Sequence, residues 1–191
     1  MRDKPRLAFD INFFIFRRKC ERDPASSPLC KYVDEWEEAA RRGEIEAIVP
    51  SGVEEVLAHQ NMKKGLKDLL AGLRGFPHRK KLLSPSMISW MRKASSDEVQ
   101  TCLLTIDGSV DSRRVEECLR MIDREDMAVY AQASKAGADY IVTADRAWIG
   151  CEDLFKAVCA CIGQSEDGGI TCGPKLPKII PLTSDPSHII E

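Results

Sequence analysis

Four short apolar runs set between stretches of helical periodicity constrain this chain more than any other feature. Arg6 to Ile11, Ile45 to Val49, Tyr140 to Thr143 and Lys178 to Leu182 are each the length of a single strand. The first delivers Asp10 at its end, and the aromatic-rich Phe13 to Arg18 then begins a helix. Val33, Trp36 and Ala40 recur at helical spacing up to Gly43, a helix stop. Pro50 closes the second strand, and Ser51 with Glu54 forms a capping box for a helix carrying Val53, Val56 and Leu57. Leu66, Leu69, Leu70 and Leu73 predict another amphipathic helix, ended by Gly75 and Pro77. Between Arg79 and Asp123 only two helix-like stretches are legible, around Met87 to Ala94 and Val115 to Met121, with a turn at Asp107-Gly108. Glu125 to Ala136 is a helix stopped by Gly137, and Glu152 to Ile162 is another, followed by a glycine-rich loop. Strands alternating with helices predict an α/β fold with a parallel sheet of four to five strands, covered on both faces.

With 191 residues, 43% of them hydrophobic, the chain suits one domain spanning 1–191, and no repeat or linker divides it. The 28 basic and 30 acidic side chains nearly cancel, so a general cationic footprint for nucleic acid is missing and any phosphate recognition must be local. Asp10 and Asn12 interrupt the apolar run Leu7 to Phe16 and no cleavage site follows, which argues against a signal peptide. No other stretch is long enough to span a bilayer, so a cytoplasmic location away from membranes is expected. The eight cysteines contain no C-x-x-C pair and are read as reduced thiols. Cys159 and Cys161 form C-x-C, a fragment of a soft-metal site, but they lie in a helical run where cysteine acts as a small hydrophobe. His59, His78 and His188 are scattered, without partners at ligand spacing.

In parallel α/β sheets function gathers beyond the carboxyl ends of the strands. Asp10 and Asp145 fall there directly. Crossover helices run antiparallel to the strands, which brings Glu54 or Glu55 and Asp126 to the same edge from the first turns of their helices. Each acid alone is best explained as a helix cap, because the dipole favours negative charge there. Four converging carboxylates instead hold protons at raised pKa or a hard cation, and oxygen-only ligation suits Mg²⁺ or Mn²⁺.

The run Leu-Ala-Phe-Asp10-Ile-Asn12, the segment Ile-Val-Pro50-Ser-Gly-Val-Glu54-Glu55-Val and the stretch from Asp126 through Ala131, Ala133 and Gly137 to Val-Thr143-Ala-Asp145 together resemble the successive motifs of PIN domains. The resemblance covers nearly the whole chain. It implies an α/β/α sandwich and an Mg²⁺- or Mn²⁺-dependent endoribonuclease that hydrolyses RNA, as in the VapC-type toxins of toxin-antitoxin pairs, with an antitoxin-like protein partner and a homodimer as further expectations. Carried over by position, it makes Asp10, Glu55, Asp126 and Asp145 the metal-binding catalytic acids, with Asn12 and Thr143 as polar supports. Glu55 is preferred to Glu54 because Glu54, third after Ser51, is expected to reach back and cap its helix. The chain is longer than the small toxins, chiefly in Arg79 to Asp123 and after Ile162.

Arg17, Arg18 and Arg146 are candidate phosphate contacts beside these acids, and Arg79-Lys80-Lys81 is a further basic run, of a kind more often found as a solvated face. Two rival readings are a PIN-like binding module without productive metal geometry and a phosphatase with an aspartyl nucleophile at the first strand. Asp10-Ile11-Asn12 lacks the second aspartate such a phosphatase uses as acid/base, and that places it last.

Overall fold

The computed structural model describes residues 4–50, 75–77, 79–81, 112–122, 124–162, 172–173 and 175–190. Among these residues the strands are β1 (Arg6–Phe9), β2 (Glu46–Pro50), β3 (Arg79–Lys81), β4 (Tyr140–Thr143) and β5 (Lys178–Pro181). They form one all-parallel sheet in the order β3-β2-β1-β4-β5. The helices are α1 (Ile11–Arg22), α2 (Cys30–Arg41), α3 (Ser112–Leu119), α4 (Arg124–Lys135), α5 (Arg146–Gly150), α6 (Glu152–Ile162) and α7 (Ser187–Ile190). The protein is therefore α/β, as the alternation of elements predicts.

Strand order decides which helices share a face. The chain steps from β1 to β2 and β3 on one side, then returns to place β4 on the other side of β1 and β5 beyond it. With right-handed crossovers, steps in opposite directions put α1 and α2 on one face and α3, α4 and α6 on the other, which is consistent with a three-layer sandwich. The observed packing agrees, since α1 lies on α2 while α6 packs on α4 and α3.

The first helical layer is fastened by aromatic rings. Phe9 of β1 meets Phe13 at 4.5 Å between ring centroids, and Phe76 lies edge-on at 5.2–5.5 Å to Phe9, Phe13 and Phe14. Edge-to-face pairs of this kind contribute about 0.5–1.5 kcal/mol beyond the area they bury. Trp36 completes the cluster and donates from Nε1 to the Leu182 carbonyl at 3.0 Å, which ties α2 to the end of β5. In the second layer Tyr130 stacks on Phe155 at 4.7 Å, Phe155 meets Trp148 at 4.8 Å, and Tyr130 donates to the Pro177 carbonyl. Gly43 and Gly137, expected as helix stops, have φ of 67° and 74°, left-handed values that a residue with a Cβ adopts at a cost.

Several expectations need correction. The first strand ends at Phe9 rather than running to Ile11, because Asp10 caps α1. The basic run at 79–81 forms β3, hydrogen-bonded to β2, so tertiary pairing overrides a composition that carries no strand signal. The short helices α5 and α7 lack the length over which periodicity becomes readable. The helices expected at Ser51 to Leu57, Leu66 to Leu73 and Met87 to Ala94, and the turn at Asp107-Gly108, lie outside the described residues.

The reading of the cysteines as reduced thiols is overturned. Cys20–Cys30, Cys118–Cys151 and Cys159–Cys172 are disulfides, with Cα atoms 5.3, 5.6 and 5.5 Å apart. None of these pairs has a recognisable spacing, because each joins a helix to a part of the chain that only folding brings near. Cys159 is thereby bonded to Cys172 rather than forming a metal fragment with Cys161. Disulfides persist in oxidising compartments and in intracellular proteins of hyperthermophiles. Cysteine usage therefore lends no support to the expected cytoplasmic location. Among the described residues no helix is long and apolar enough to cross a membrane.

Candidate functional site at the carboxyl edge of β1 and β4

β1 and β4 are neighbours from which the chain departs in opposite directions, the kind of switch point at which open parallel sheets bind ligands. Asp10 leaves β1 and Asp145 leaves β4 at this switch point. Each is the N-cap of the next helix: Asp10 Oδ1 accepts the Asn12 N–H at 2.7 Å, and Asp145 Oδ1 accepts the Ala147 N–H at 2.8 Å. Capping by Asp contributes about 1 kcal/mol, which explains one oxygen of each carboxylate without any ligand.

Thr143 joins the two acids. Its hydroxyl donates to Asp10 Oδ2 and its Oγ1 accepts the Asp145 backbone N–H at 2.9 Å. One β-branched side chain, fully buried at the end of β4, thus sets the spacing between the two helix starts. Helix capping by itself needs no such bridge.

Asp10 is only 1% exposed, and its carboxyl is pushed up to about 6. Burial is the largest cause, hydrogen bonds from Thr143 and Asn12 oppose it, and the nearby charge of Asp145 adds to it. The folded state holds this proton more tightly than the unfolded chain, whose carboxyl titrates near 3.8. Stability is therefore lost as pH rises from about 4 to about 6, and the cost stays in full above that window. Two pKa units correspond to about 3 kcal/mol. In EDTA, the stability of Asp10→Asn relative to wild type is expected to rise by that order between pH 4 and pH 7, as read by thermal or urea unfolding. A difference that does not change with pH would show that Asp10 titrates normally.

The other expected site residues are placed as follows. Asn12 occupies the first turn of α1, half-buried, with its backbone on Asp10. Asp126 stands in the first turn of α4, half-buried and toward the carboxyl edge, since the other end of α4 feeds β4 directly. Among the described residues, however, no group of three or more His, Cys, Asp or Glu side chains is arranged to hold a metal ion. The structure therefore links Asp10 with Asp145 and does not draw Asp126 into a three-carboxylate cluster with them. Glu54 and Glu55 lie outside the described residues.

The expected cationic contacts divide. Arg17 is 6% exposed and grips Glu37 through Nε at 2.6 Å and Nη2 at 3.0 Å, with Glu21 on Nη1 at 2.9 Å. Burial opposes ionisation of Glu37, yet its bonds to Arg17 and Arg41 outweigh this and hold it below its usual pKa. Arg17 thus fastens α1 to α2 and is not offered to a substrate. Arg18 pairs with Glu21 at 2.9 Å, whereas Arg146 is exposed in the first turn of α5, beside Asp145.

The donor set suits a hard cation in kind, since it consists of oxygens with a buried carboxyl pushed toward neutrality next to a second carboxylate. In number it is half of a site, and further oxygens must come from Asp126 or from residues other than those described. No family model, curated protein or solved structure matches the chain.

Proposed function

We propose that the protein is a PIN-like, Mg²⁺- or Mn²⁺-dependent endoribonuclease whose reaction takes place at the Asp10–Thr143–Asp145 edge. The observation that supports this reading is the Thr143 bridge, which holds two carboxylates together at the topological switch point of a parallel sheet. When bound, a divalent ion would supply neutralisation of phosphate charge and a more acidic water. The residues of the chain do the rest. Asp10 and Asp145 supply charged oxygens, Thr143 and the helix caps prevent those oxygens from turning away, and exposed Arg146 offers a cation to the neighbouring phosphate.

The rival reading, a PIN-like binding module, is favoured by a specific observation: the described residues assemble two linked acids rather than three. One assay separates the two. Purified protein is incubated with labelled single-stranded RNA or DNA in Mn²⁺, Mg²⁺ or EDTA. Cleavage of RNA in metal and none in EDTA is expected. Binding without cleavage would establish the module, and cleavage that persists in EDTA would remove the metal-dependent mechanism. An antitoxin-like partner comes only with the family resemblance, and no described residue adds to it.

A further inference from the structure

α5 is the short element of the site. It spans Arg146–Gly150, five residues, and a helix of little more than one turn does not hold itself together, because nucleation costs more than its few internal hydrogen bonds return. Asp145 caps its start, so whatever fixes α5 also fixes that carboxylate. At the leading end Thr143 Oγ1 accepts the Asp145 N–H at 2.9 Å, and Asp145 Oδ1 accepts the Ala147 N–H at 2.8 Å. At the trailing end Cys151 donates its N–H to the Trp148 carbonyl at 3.1 Å and is bonded through sulfur to Cys118 of α3. The Cys118 sulfur also lies 3.9 Å from the Gly150 carbonyl oxygen.

Between those ends Trp148 is buried against Phe155, while Arg146 and Ile149 are exposed. The Trp148 Nε1 finds no acceptor among the described residues, so the ring contributes apolar packing without a directional bond. The covalent bond at Cys151, roughly 9 Å along the chain from Asp145 at helical rise, is therefore the directional anchor of the trailing end. The other two disulfides are placed differently. Cys20 lies near the far end of α1, a 12-residue helix already fastened by buried Phe13 and Phe14, and Cys159 lies on α6, which neither Asp10 nor Asp145 caps.

We infer that Cys118 and Cys151 are positioning residues for Asp145, so that the Asp10–Thr143–Asp145 edge is complete only in the oxidised chain. Exchange with a small-molecule or protein disulfide makes the bond. Two electrons pass from the two thiols to the donor disulfide, whose sulfurs leave as thiols with the two protons, and one Sγ–Sγ bond forms. With the half-cystines 2% and 1% exposed, the finished bond is closed to reductants in the folded protein, so oxidation acts once, as the chain folds. The reduced chain keeps both acids and Thr143 but leaves the trailing end of α5 to packing. The inference rests on the nuclease reading for what Asp145 does, though the position of Asp145 is measurable without metal or RNA.

The test follows amide hydrogen exchange in EDTA in wild type and in two pair variants, Cys118→Ala/Cys151→Ala and Cys159→Ala/Cys172→Ala. In the first pair the Asp145 and Ala147 N–H groups are expected to exchange about tenfold faster or more relative to the Asn12 N–H, the corresponding cap bond of α1. In the second pair that ratio should keep its wild-type value. Taking the ratio removes a general loss of stability, which speeds all three groups alike. If the first pair does not fold, Cys118→Ala/Cys151→Val, which refills more of the space of the sulfurs, replaces it. Wild type alone gives a second measure: the Ala147 and Cys151 N–H groups should be protected to within about tenfold of each other, because a helix fastened at both ends opens as one unit. An unchanged ratio in the first pair, an equal change in both pairs, or an Ala147 N–H exchanging far faster than that of Cys151 in wild type overturns the inference. Affinity for Mn²⁺, read from the free ion by electron paramagnetic resonance, should fall about 10–100-fold in the first pair only. A first pair that binds Mn²⁺ as tightly as a binding-competent wild type also overturns it. A wild type that binds no Mn²⁺ and cuts no RNA refutes the nuclease and leaves the exchange to decide the positioning role.

Discussion

Complete reduction is expected to lower the melting temperature by about 20 °C or more, the largest stability effect available without changing the sequence. The three disulfides among the described residues close loops with sequence separations of 10, 33 and 13 residues. By loop-closure entropy these remove about 2.5–4 kcal/mol each from the stability of the unfolded chain's competing states, the longest loop most. The loops do not overlap, so the contributions add to on the order of 9 kcal/mol, against the 5–15 kcal/mol that typically holds a domain folded. Cys118–Cys151 should therefore cost about 1 kcal/mol more than either of the others when replaced by a serine pair. The half-cystines are 2% and 1% exposed, so reduction needs denaturant or heat to proceed. Thiol titration of the denatured, unreduced protein should find at most two of the eight cysteines free. Six or more free thiols, or a melting temperature unmoved after full reduction, would refute the pairing.

The second large effect concerns activity. Asp10→Asn and Asp145→Asn are each expected to reduce metal-dependent RNA cleavage by more than the roughly 100-fold upper cost of losing an outer-shell partner. An amide keeps the shape of the side chain and one acceptor oxygen for the helix cap, but it brings no charge to a cation. Fold and function therefore part company in Asp10→Asn, which should be inactive and, in EDTA at neutral pH, no less stable than wild type, because the buried charge is gone. Thr143→Val separates position from charge. It leaves both carboxylates in place and removes their bridge, so activity should fall while the dependence on metal concentration shifts upward. Wild-type turnover in either Asn variant would show that the two acids are helix caps and nothing more.

Much of the architecture was legible because local chemistry and tertiary structure agree. β1, β2 and β4 are largely buried apolar runs, β5 is a half-buried one, and α2 and α4 stop at glycines whose positive φ the stop requires. Of the site, the two strand-end aspartates could be read because a polar residue ending an apolar run is unusual and parallel topology gathers such ends at one edge. Arg17, a candidate phosphate contact by sequence, is instead tied up in the fold, because nothing near it in the chain announces Glu37, which arrives on the next helix.

What the sequence determined by itself is the set of features with a short period or a local signal: α/β class, parallel pairing, helix stops, and the aspartates Asp10 and Asp145 at the strand ends. What only the tertiary structure decided joins residues far apart in the chain. Thr143 reaches Asp10 across 133 positions, Phe76 fills the aromatic cluster under β1, the basic segment Arg79–Lys81 pairs with β2, and six cysteines pair without a spacing rule. The physical reason is the same in each case. A hydroxyl, a ring or a thiol has no partner written beside it, and its role is settled by whichever group the packed sheet and helices bring within a few ångströms.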